Sequence, residues 1–275
     1  MENTLEILNG AFPFIHSIIF VIGASSNVSL LLAAFYRTPQ KLKTYSIMIK
    51  VGTINDLIAI VCDFLTIQRL LVVPGNIIYL SLGPCSLISA GFCYFIHSIL
   101  ILTLLYSLYV MTASFAYRLW VLHRTSPSNR SVVFLMIVMY FPPAIINSTF
   151  TWAQADDSVV RAFLLKNAPH YLREDGALTG HSGFTPHLIF TILVMIGSPW
   201  PLYVVILTFR LKILSKLRRF STGMSERTKS MHRSLVRALT IHAMLPPIYF
   251  VGVTLYLVLY FDIYRHPALE KAIYT

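Results

Sequence analysis

The chain has 275 residues, of which 56% are hydrophobic and 12% are charged, and its formal net charge is +11. A soluble core cannot absorb that much apolar surface, so the composition excludes an ordinary soluble protein and favours the lipid bilayer. Nucleic-acid binding, the other usual meaning of a high positive charge, needs a soluble basic face that the apolar pattern does not provide. We therefore expect a membrane protein whose partner is the lipid bilayer, with no nucleic-acid partner.

Six long apolar stretches follow one another along the chain. Each reaches the roughly 20 residues that a helix needs to cross a ~30 Å hydrocarbon layer, and none shows the ~10-residue alternating pattern of barrel strands. The sequence therefore predicts an all-α fold, an integral membrane helix bundle. It forms a single transmembrane domain over residues 1–275, with helices at about residues 13–36, 45–73, 83–122, 131–152, 186–214 and 238–261.

Lys and Arg are concentrated in alternate connections. The connections after the first and third stretches are basic, and nine basic residues lie between Arg210 and Arg237. Short basic connections stay in the cytoplasm. This pattern predicts a multi-pass protein with an extracellular N-terminus, and residues 1–12 contain no Lys or Arg that would indicate a cleavable signal peptide.

Two polar residues of the first two stretches reach the same depth. Asn27 lies ten residues inside Arg37 and Asp56 twelve residues inside Thr44, which corresponds to ~15 and ~18 Å from the cytoplasmic ends. Polar groups in lipid need partners. We therefore expect an intramembrane polar network between Asn27 and Asp56, and the alternative is two unrelated groups that face other helices.

Further polar residues lie toward the extracellular ends of the second and third stretches. Asp63 returns to nearly the same helix face as Asp56, and Arg69 continues the stripe outward, while Tyr94 and His97 lie on the third stretch. The pattern predicts a ligand-binding vestibule that uses Asp63, Arg69, Tyr94 and His97. The alternatives are a contact between Asp63 and Arg69 on the helix surface and a His97 that only packs.

Cys85 and Cys93 lie near the extracellular end of the third stretch, where the compartment is oxidising. Eight helical residues would separate them by ~12 Å, which is too far for a disulfide. The bridge can form only if the segment between them is not a regular helix. A local disulfide and two free thiols therefore both stay open at this point.

Catalytic and metal-binding patterns do not emerge from the sequence. It has no HExxH, GxSxG, P-loop or CxxC pattern, and His170, His181 and His187 are not spaced as metal ligands. We therefore expect no enzymatic activity, no cofactor and no metal site.

Two groups of local motifs stand out against the apolar background. One surrounds the third stretch, and the other lies in the last basic connection and beyond it. The first group consists of Gly83-Pro84-Cys85 before Cys93, and of Ser114-Phe115 with Tyr117-Arg118. The second consists of Met224-Ser225-x-x-Thr228-Lys229-Ser230-x-His232, Ala238-Leu239-Thr240, Leu245-Pro246 with Tyr249, and Tyr264-Arg265-His266-Pro267 with Leu269-Glu270.

With these motifs, nearly the whole chain resembles the nematode serpentine chemoreceptors of the delta class. The resemblance implies a seven-helix G-protein-coupled receptor in the plasma membrane of chemosensory neurons and their cilia, with an unknown small-molecule ligand outside and a heterotrimeric G protein inside. Arg118, beside Tyr117, matches the arginine that such receptors use toward the G protein. Asn27 and Asp56 resemble the polar pair of rhodopsin-like bundles, and the connection from 212 to 237 would be the coupling surface.

The chain departs from the family pattern in two respects. No acidic residue precedes Arg118, so an ionic latch is not expected there, and Leu119 stands where the class often has an aromatic residue. The apolar pattern also ends after six stretches, whereas the family continues into a seventh helix. Two alternatives to a signalling receptor follow: a truncated product that does not signal, and a secondary transporter, which the clustering of prolines in stretches four to six disfavours.

Overall fold

Helices form most of the chain in the computed structural model, which describes residues 2–220 except 39–42, 74–75, 168, 174–175, 182 and 184, together with scattered positions between 237 and 255. Long apolar runs satisfy their backbone groups internally as helices. The helices are α1 (Glu2–Tyr36), α2 (Lys43–Thr66), α3 (Ala90–Val121), α4 (Asn129–Trp152), α5 (Asp157–Asn167), α6 (Pro186–Gly197) and α7 (Pro199–Phe220). The strands are β1 (Gln68–Val73), β2 (Asn76–Ser81) and β3 (Ala177–His181), and short 3-10 helices cover Pro84–Leu87 and Pro169–Arg173.

The predicted helical membrane bundle is confirmed. Within the described part of the chain, four helical segments are long and apolar enough to cross a membrane, namely Ala11–Tyr36, Ala90–Val121, Asn129–Trp152 and Pro186–Lys216. The more polar α2 packs against α1 and α3. Large apolar side chains such as Phe14, Phe134 and Phe141 are exposed on the surface of the bundle, as expected where lipid takes the place of water.

Helix α3 lies at the centre of the bundle and packs against α2, α4 and α7. It begins at Ser89, whose side chain accepts a hydrogen bond from the amide of Phe92, a standard N-cap contact. Its 32 residues span ~48 Å at 1.5 Å per residue. One rigid element therefore connects the two ends of the bundle.

A three-stranded antiparallel sheet in the order β1-β2-β3 covers one end of the bundle. Because side chains alternate across a strand, the sheet has two different faces. Leu70, Ile77 and Tyr79 pack on residues of α3, α4 and α6. The opposite face, with Leu71 and Leu80, packs on α5 and the 3-10 helix after it. We call this end the sheet end and the opposite end, where α3 finishes, the Arg118 end.

The structure corrects three of the predicted helix boundaries. The predicted helix 45–73 is wrong beyond Thr66, because Ile67 adopts a left-handed φ of 40° that a helix cannot continue, and β1 follows. The predicted helix 83–122 begins only at Ala90, after an irregular segment and a 3-10 turn. The predicted helix 186–214 is two helices that meet at Ser198, next to a proline that cannot donate to the helix. The predicted helix 238–261 lies largely outside the described residues.

The sequence contains a signal for the β1-β2 hairpin that the helical interpretation overlooked. Two apolar runs rich in Leu, Val and Ile flank Pro74-Gly75, a dipeptide typical of tight turns. The strands pair from Gln68 opposite Ser81 to Val73 opposite Asn76. A hairpin therefore stands where the sequence analysis placed the end of one helix and a connection.

Candidate functional site

A group of five aromatic and histidine rings lies where the sheet meets the helices. We call it the ring cluster, and its members are Tyr79, Tyr94, His97, Phe150 and His181. Tyr94 and Phe150 stack in parallel with centroids 5.2 Å apart, and Tyr79 lies 4.7 Å from His97. His181 lies edge-on to Phe150 at 5.0 Å. The cluster therefore joins β2 and β3 to α3 and α4.

Hydrogen bonds fix two members of the ring cluster. The hydroxyl of Tyr94 donates to the carbonyl oxygen of Phe150 at 2.6 Å. Nδ1 of His181 lies 2.7 Å from the carbonyl oxygen of Ala153, and because a carbonyl only accepts, this nitrogen carries the proton. Burial lowers the pKa of His181 below its ordinary value, although the bond to Ala153 opposes that effect. His181 is therefore neutral in the folded protein at physiological pH.

The four residues predicted to bind a ligand do not form one vestibule. Tyr94 and His97 are both in the ring cluster, but Asp63 is hydrogen-bonded to Nδ1 of the buried His16 on α1, at 2.9 Å. Arg69 lies on the other face of the sheet, with its guanidinium carbon 5.7 Å from the ring centre of Tyr171. The predicted polar stripe is interrupted because α2 ends before Arg69, and strand alternation then directs Leu70 rather than Arg69 to the bundle.

Cys85 and Cys93 form a disulfide in the structure. The segment between them contains a 3-10 turn and the N-cap of α3, so the regular helix that would have kept them apart is absent there. Both residues are fully buried and pack against Ala177 of β3. The bridge therefore ties the start of α3 to the segment that borders the sheet.

A polar network lies in the middle of the bundle, but it differs from the predicted one. Nδ2 of Asn55 donates to the carbonyl oxygen of Thr103 at 2.9 Å and to Oγ of Ser107 at 2.8 Å. Ser107 donates in turn to Oδ1 of Asp56 at 2.7 Å. The prediction of a hydrogen bond between Asn27 and Asp56 is wrong, because the Asn27 amide instead donates to the carbonyl oxygen of Gly23 within its own helix.

At the opposite end, Arg118 is held by a tyrosine of α2. Its Nη2 donates to the hydroxyl of Tyr45, and its guanidinium carbon lies 5.1 Å from the centre of the same ring. Tyr45 also stacks on Tyr117 at 5.5 Å, and its hydroxyl lies 3.1 Å from that of Ser114. Nη1 of Arg118 is buried and has no hydrogen-bond partner among the described residues. A tyrosine therefore takes the place of the acidic residue that the sequence lacks.

The two ends of the bundle offer aromatic rings, neutral polar atoms and one arginine. The described residues contain no group of three or more His, Cys, Asp or Glu that could hold a metal ion. The ring cluster offers aromatic faces and a few polar atoms, and the Arg118 end offers a buried cationic donor. Sequence reasoning did not single out His181, Ser107 or Tyr45 for these positions, because their partners lie 28 to 73 residues away along the chain.

The structure is a multi-pass helical membrane bundle with an aromatic cluster beneath the sheet and an arginine held by a tyrosine at the other end. The comparison with known families identifies the family to which it belongs. The family model "Serpentine type 7TM GPCR chemoreceptor Srd" matches residues 12–275. The chain belongs to this family of serpentine chemoreceptors, and its resemblance to the delta class is confirmed.

Individual relatives agree with the family model. Serpentine receptor class delta-3 of Caenorhabditis elegans is 28% identical over 272 residues, which cover 96% of this chain and 79% of the relative. Class delta-18 of the same organism is 30% identical over 265 residues, which cover 93% and 77%. Class delta-1 is 27% identical over 256 residues, which cover 90% and 69%. These proteins form a receptor family, not an enzyme family.

Proposed function

We propose that the protein is a chemosensory G-protein-coupled receptor. A small molecule binds at the sheet end and shifts the bundle between conformations that differ at the Arg118 end, where a heterotrimeric G protein binds. The observation that carries the proposal is the path of α3. This one helix contributes Tyr94 and His97 to the ring cluster, Ser107 to the central network and Arg118 to the opposite end.

The contacts of Arg118 support a role toward a cytoplasmic partner. Its bond to Tyr45 restrains the guanidinium in this conformation, while Nη1 remains a buried donor without a partner in the described part of the chain. A buried charged donor without a partner is costly. A G protein that supplies a carbonyl or carboxylate acceptor would satisfy it and would favour a conformation in which the bond to Tyr45 is broken.

The proposal includes an orientation. The described basic residues Lys43, Arg124 and Arg130 lie at the Arg118 end, where Thr44 bonds Asn129 and Tyr45 bonds Arg118. In this proposal that end faces the cytoplasm, and the sheet end and the N-terminus face outward. The receptor would lie in the plasma membrane of sensory cilia, as the resemblance implies. An epitope tag before Met1 should bind antibody on intact, unpermeabilised cells, and labelling only after permeabilisation would contradict the orientation.

Nucleotide exchange on added G proteins tests the coupling. The full product of the gene is expressed in cell membranes, and guanine-nucleotide exchange is measured on purified heterotrimers of each Gα class. We expect exchange above that of empty membranes, and its loss in Arg118→Ala at unchanged surface expression. Arg124→Ala is the matched control, because Arg124 is an exposed arginine at the same end that lies on the ring of Trp120 at 5.0 Å. If nucleotide exchange persists in Arg118→Ala, Arg118 has no role in G-protein coupling and serves only as a basic residue at the membrane boundary.

A further inference from the structure

On the side of the sheet that faces the bundle, Nε2 of Gln68 on β1 is buried without a hydrogen-bond partner among the described residues, and two atoms of β3 are buried in the same way. The two atoms of β3 are Oγ1 of Thr179 and Nε2 of His181. The two side chains are 3% and 2% exposed. Buried polar groups almost always have a partner, so two such atoms on one short strand indicate that something outside the described chain completes their hydrogen bonds.

The sheet register places Thr179 beside the ring cluster, to which His181 belongs. Thr179 is opposite Tyr79 and His181 is opposite Ile77, and both of those β2 residues belong to the apolar group that packs on the helices. Directly opposite residues in an antiparallel pair project to the same face. Thr179 and His181 therefore face the helices, with their Cα atoms about 7 Å apart along the strand.

The two groups differ in hydrogen-bonding character. Because Nδ1 of His181 donates to the Ala153 carbonyl, Nε2 of the neutral imidazole is an acceptor. The Thr179 hydroxyl can donate or accept. Among the described residues of the strands, those on this face include no Asp, Glu, Lys or Arg, since Arg69 lies on the opposite face. The surroundings thus favour an uncharged occupant that carries one donor and one acceptor.

We propose that Thr179 and His181 are the polar contacts of a ligand site beneath the sheet, for a small uncharged molecule with a hydroxyl donor, a carbonyl acceptor and an apolar body. The hydroxyl donates to Nε2 of His181, the carbonyl accepts from Thr179, and the apolar body packs on the rings of the cluster. The inference deepens and rests on the proposed function, because it names the chemical class that the receptor binds and the residues that recognise it.

Binding to the purified protein tests the site separately from signalling. The full gene product is reconstituted in nanodiscs, and its thermal unfolding midpoint is measured by intrinsic fluorescence against three probe series of five to ten carbons: γ-hydroxyketones, alkanoic acids and alkylamines. We expect the γ-hydroxyketones to raise the midpoint in a concentration-dependent way. The charged series should have no comparable effect.

Variants locate the binding. Thr179→Val removes the hydroxyl at nearly constant volume and should weaken γ-hydroxyketone binding about tenfold, whereas Thr179→Ser should restore it. His181→Phe keeps an aromatic ring and should also weaken binding. The matched controls are Thr208→Val, whose exposed hydroxyl donates to the Val204 carbonyl oxygen of its own helix, and His187→Phe, at an exposed position. Both controls should bind as the wild type does.

The outcomes separate the site from the function. Equal binding in Thr179→Val, equal stabilisation by acids or amines, or no stabilisation by any γ-hydroxyketone would overturn the site, and ordered water would then satisfy the two atoms. Probe binding that depends on Thr179, without nucleotide exchange on any G protein, would leave the site standing while the proposed signalling failed. Nucleotide exchange that other molecules drive and that Thr179→Val does not affect would support the proposed signalling and overturn the site.

Discussion

Removal of the disulfide between Cys85 and Cys93 should destabilise the protein by an amount that follows from its position. The bridge has a sequence separation of 8, and the chain-entropy relation for a loop of that size gives about 2.5 kcal/mol at 25 °C. For a chain of this length, each kcal/mol shifts the unfolding midpoint by about 2–4 °C. The double variant Cys85→Ala, Cys93→Ala should therefore unfold about 5–10 °C below the wild type.

The assay is thermal unfolding in detergent, followed by tryptophan fluorescence. The matched control is Cys62→Ala, which removes a buried free thiol from α2 and reports the cost of lost sulfur packing alone. A double variant that unfolds at the same temperature as the control would refute the reasoning. So would mass spectrometry that finds Cys85 and Cys93 both open to alkylation in the unfolded, unreduced wild type.

Three further changes have directions that follow from the contacts. Tyr45→Phe removes the hydroxyl that holds Arg118, a loss of about 1–2 kcal/mol, so ligand-independent nucleotide exchange should rise about 5- to 30-fold. Gly180→Ala would place a Cβ 2.5 Å from a backbone oxygen of β2, so it should lower folded yield on size-exclusion chromatography. His181 has a lowered pKa in the folded protein, so the unfolded chain binds the proton at a higher pH than the folded protein does. The contribution of His181 to the free energy of unfolding should therefore be intact above about pH 7 and decline below about pH 6.5, as measured by unfolding at a series of pH values.

Each of these changes has its own control and its own contrary result. Tyr140→Phe removes an exposed hydroxyl from α4 and should leave basal exchange unchanged; equal exchange in Tyr45→Phe would argue against the restraint. The Cβ added in Gly91→Ala has no neighbouring atom of the described residues within 4 Å, and a Gly180→Ala variant as stable as Gly91→Ala would contradict the close approach. His181→Phe should lose stability less steeply than the wild type as the pH falls, and parallel curves would show that His181 does not contribute.

The helical bundle was predictable from the sequence, whereas the hairpin was missed for a physical reason. A short apolar run such as Leu70 to Val73 is compatible with a buried strand and with a membrane helix, so hydropathy does not distinguish the two structures. The Pro74-Gly75 dipeptide and the β-branched residues before it would have separated the two interpretations. Because the hairpin was missed, Arg69 was assigned to a helix instead of a strand, and it was therefore wrongly included in the predicted vestibule.

The central polar network shows what depth arguments provide and what they omit. Counting residues from the helix ends placed Asp56 and Asn27 at one level, but depth says nothing about the direction in which a side chain projects around its helix axis. Asp56 bonds Ser107 of α3 instead, and Asn55, the adjacent residue, joins the same network. The contact of Arg118 with Tyr45 spans 73 residues and has no local sequence signature.

The central claim is that occupancy beneath the sheet changes the conformation of the Arg118 end. Fluorine NMR of a label at Thr125→Cys, an exposed position in the turn after α3, measures that coupling directly in a Cys62→Ala background. A γ-hydroxyketone should shift the population of label signals, and the same concentration should leave Thr179→Val unchanged. A label that does not respond, or responds equally in Thr179→Val, would contradict the claim.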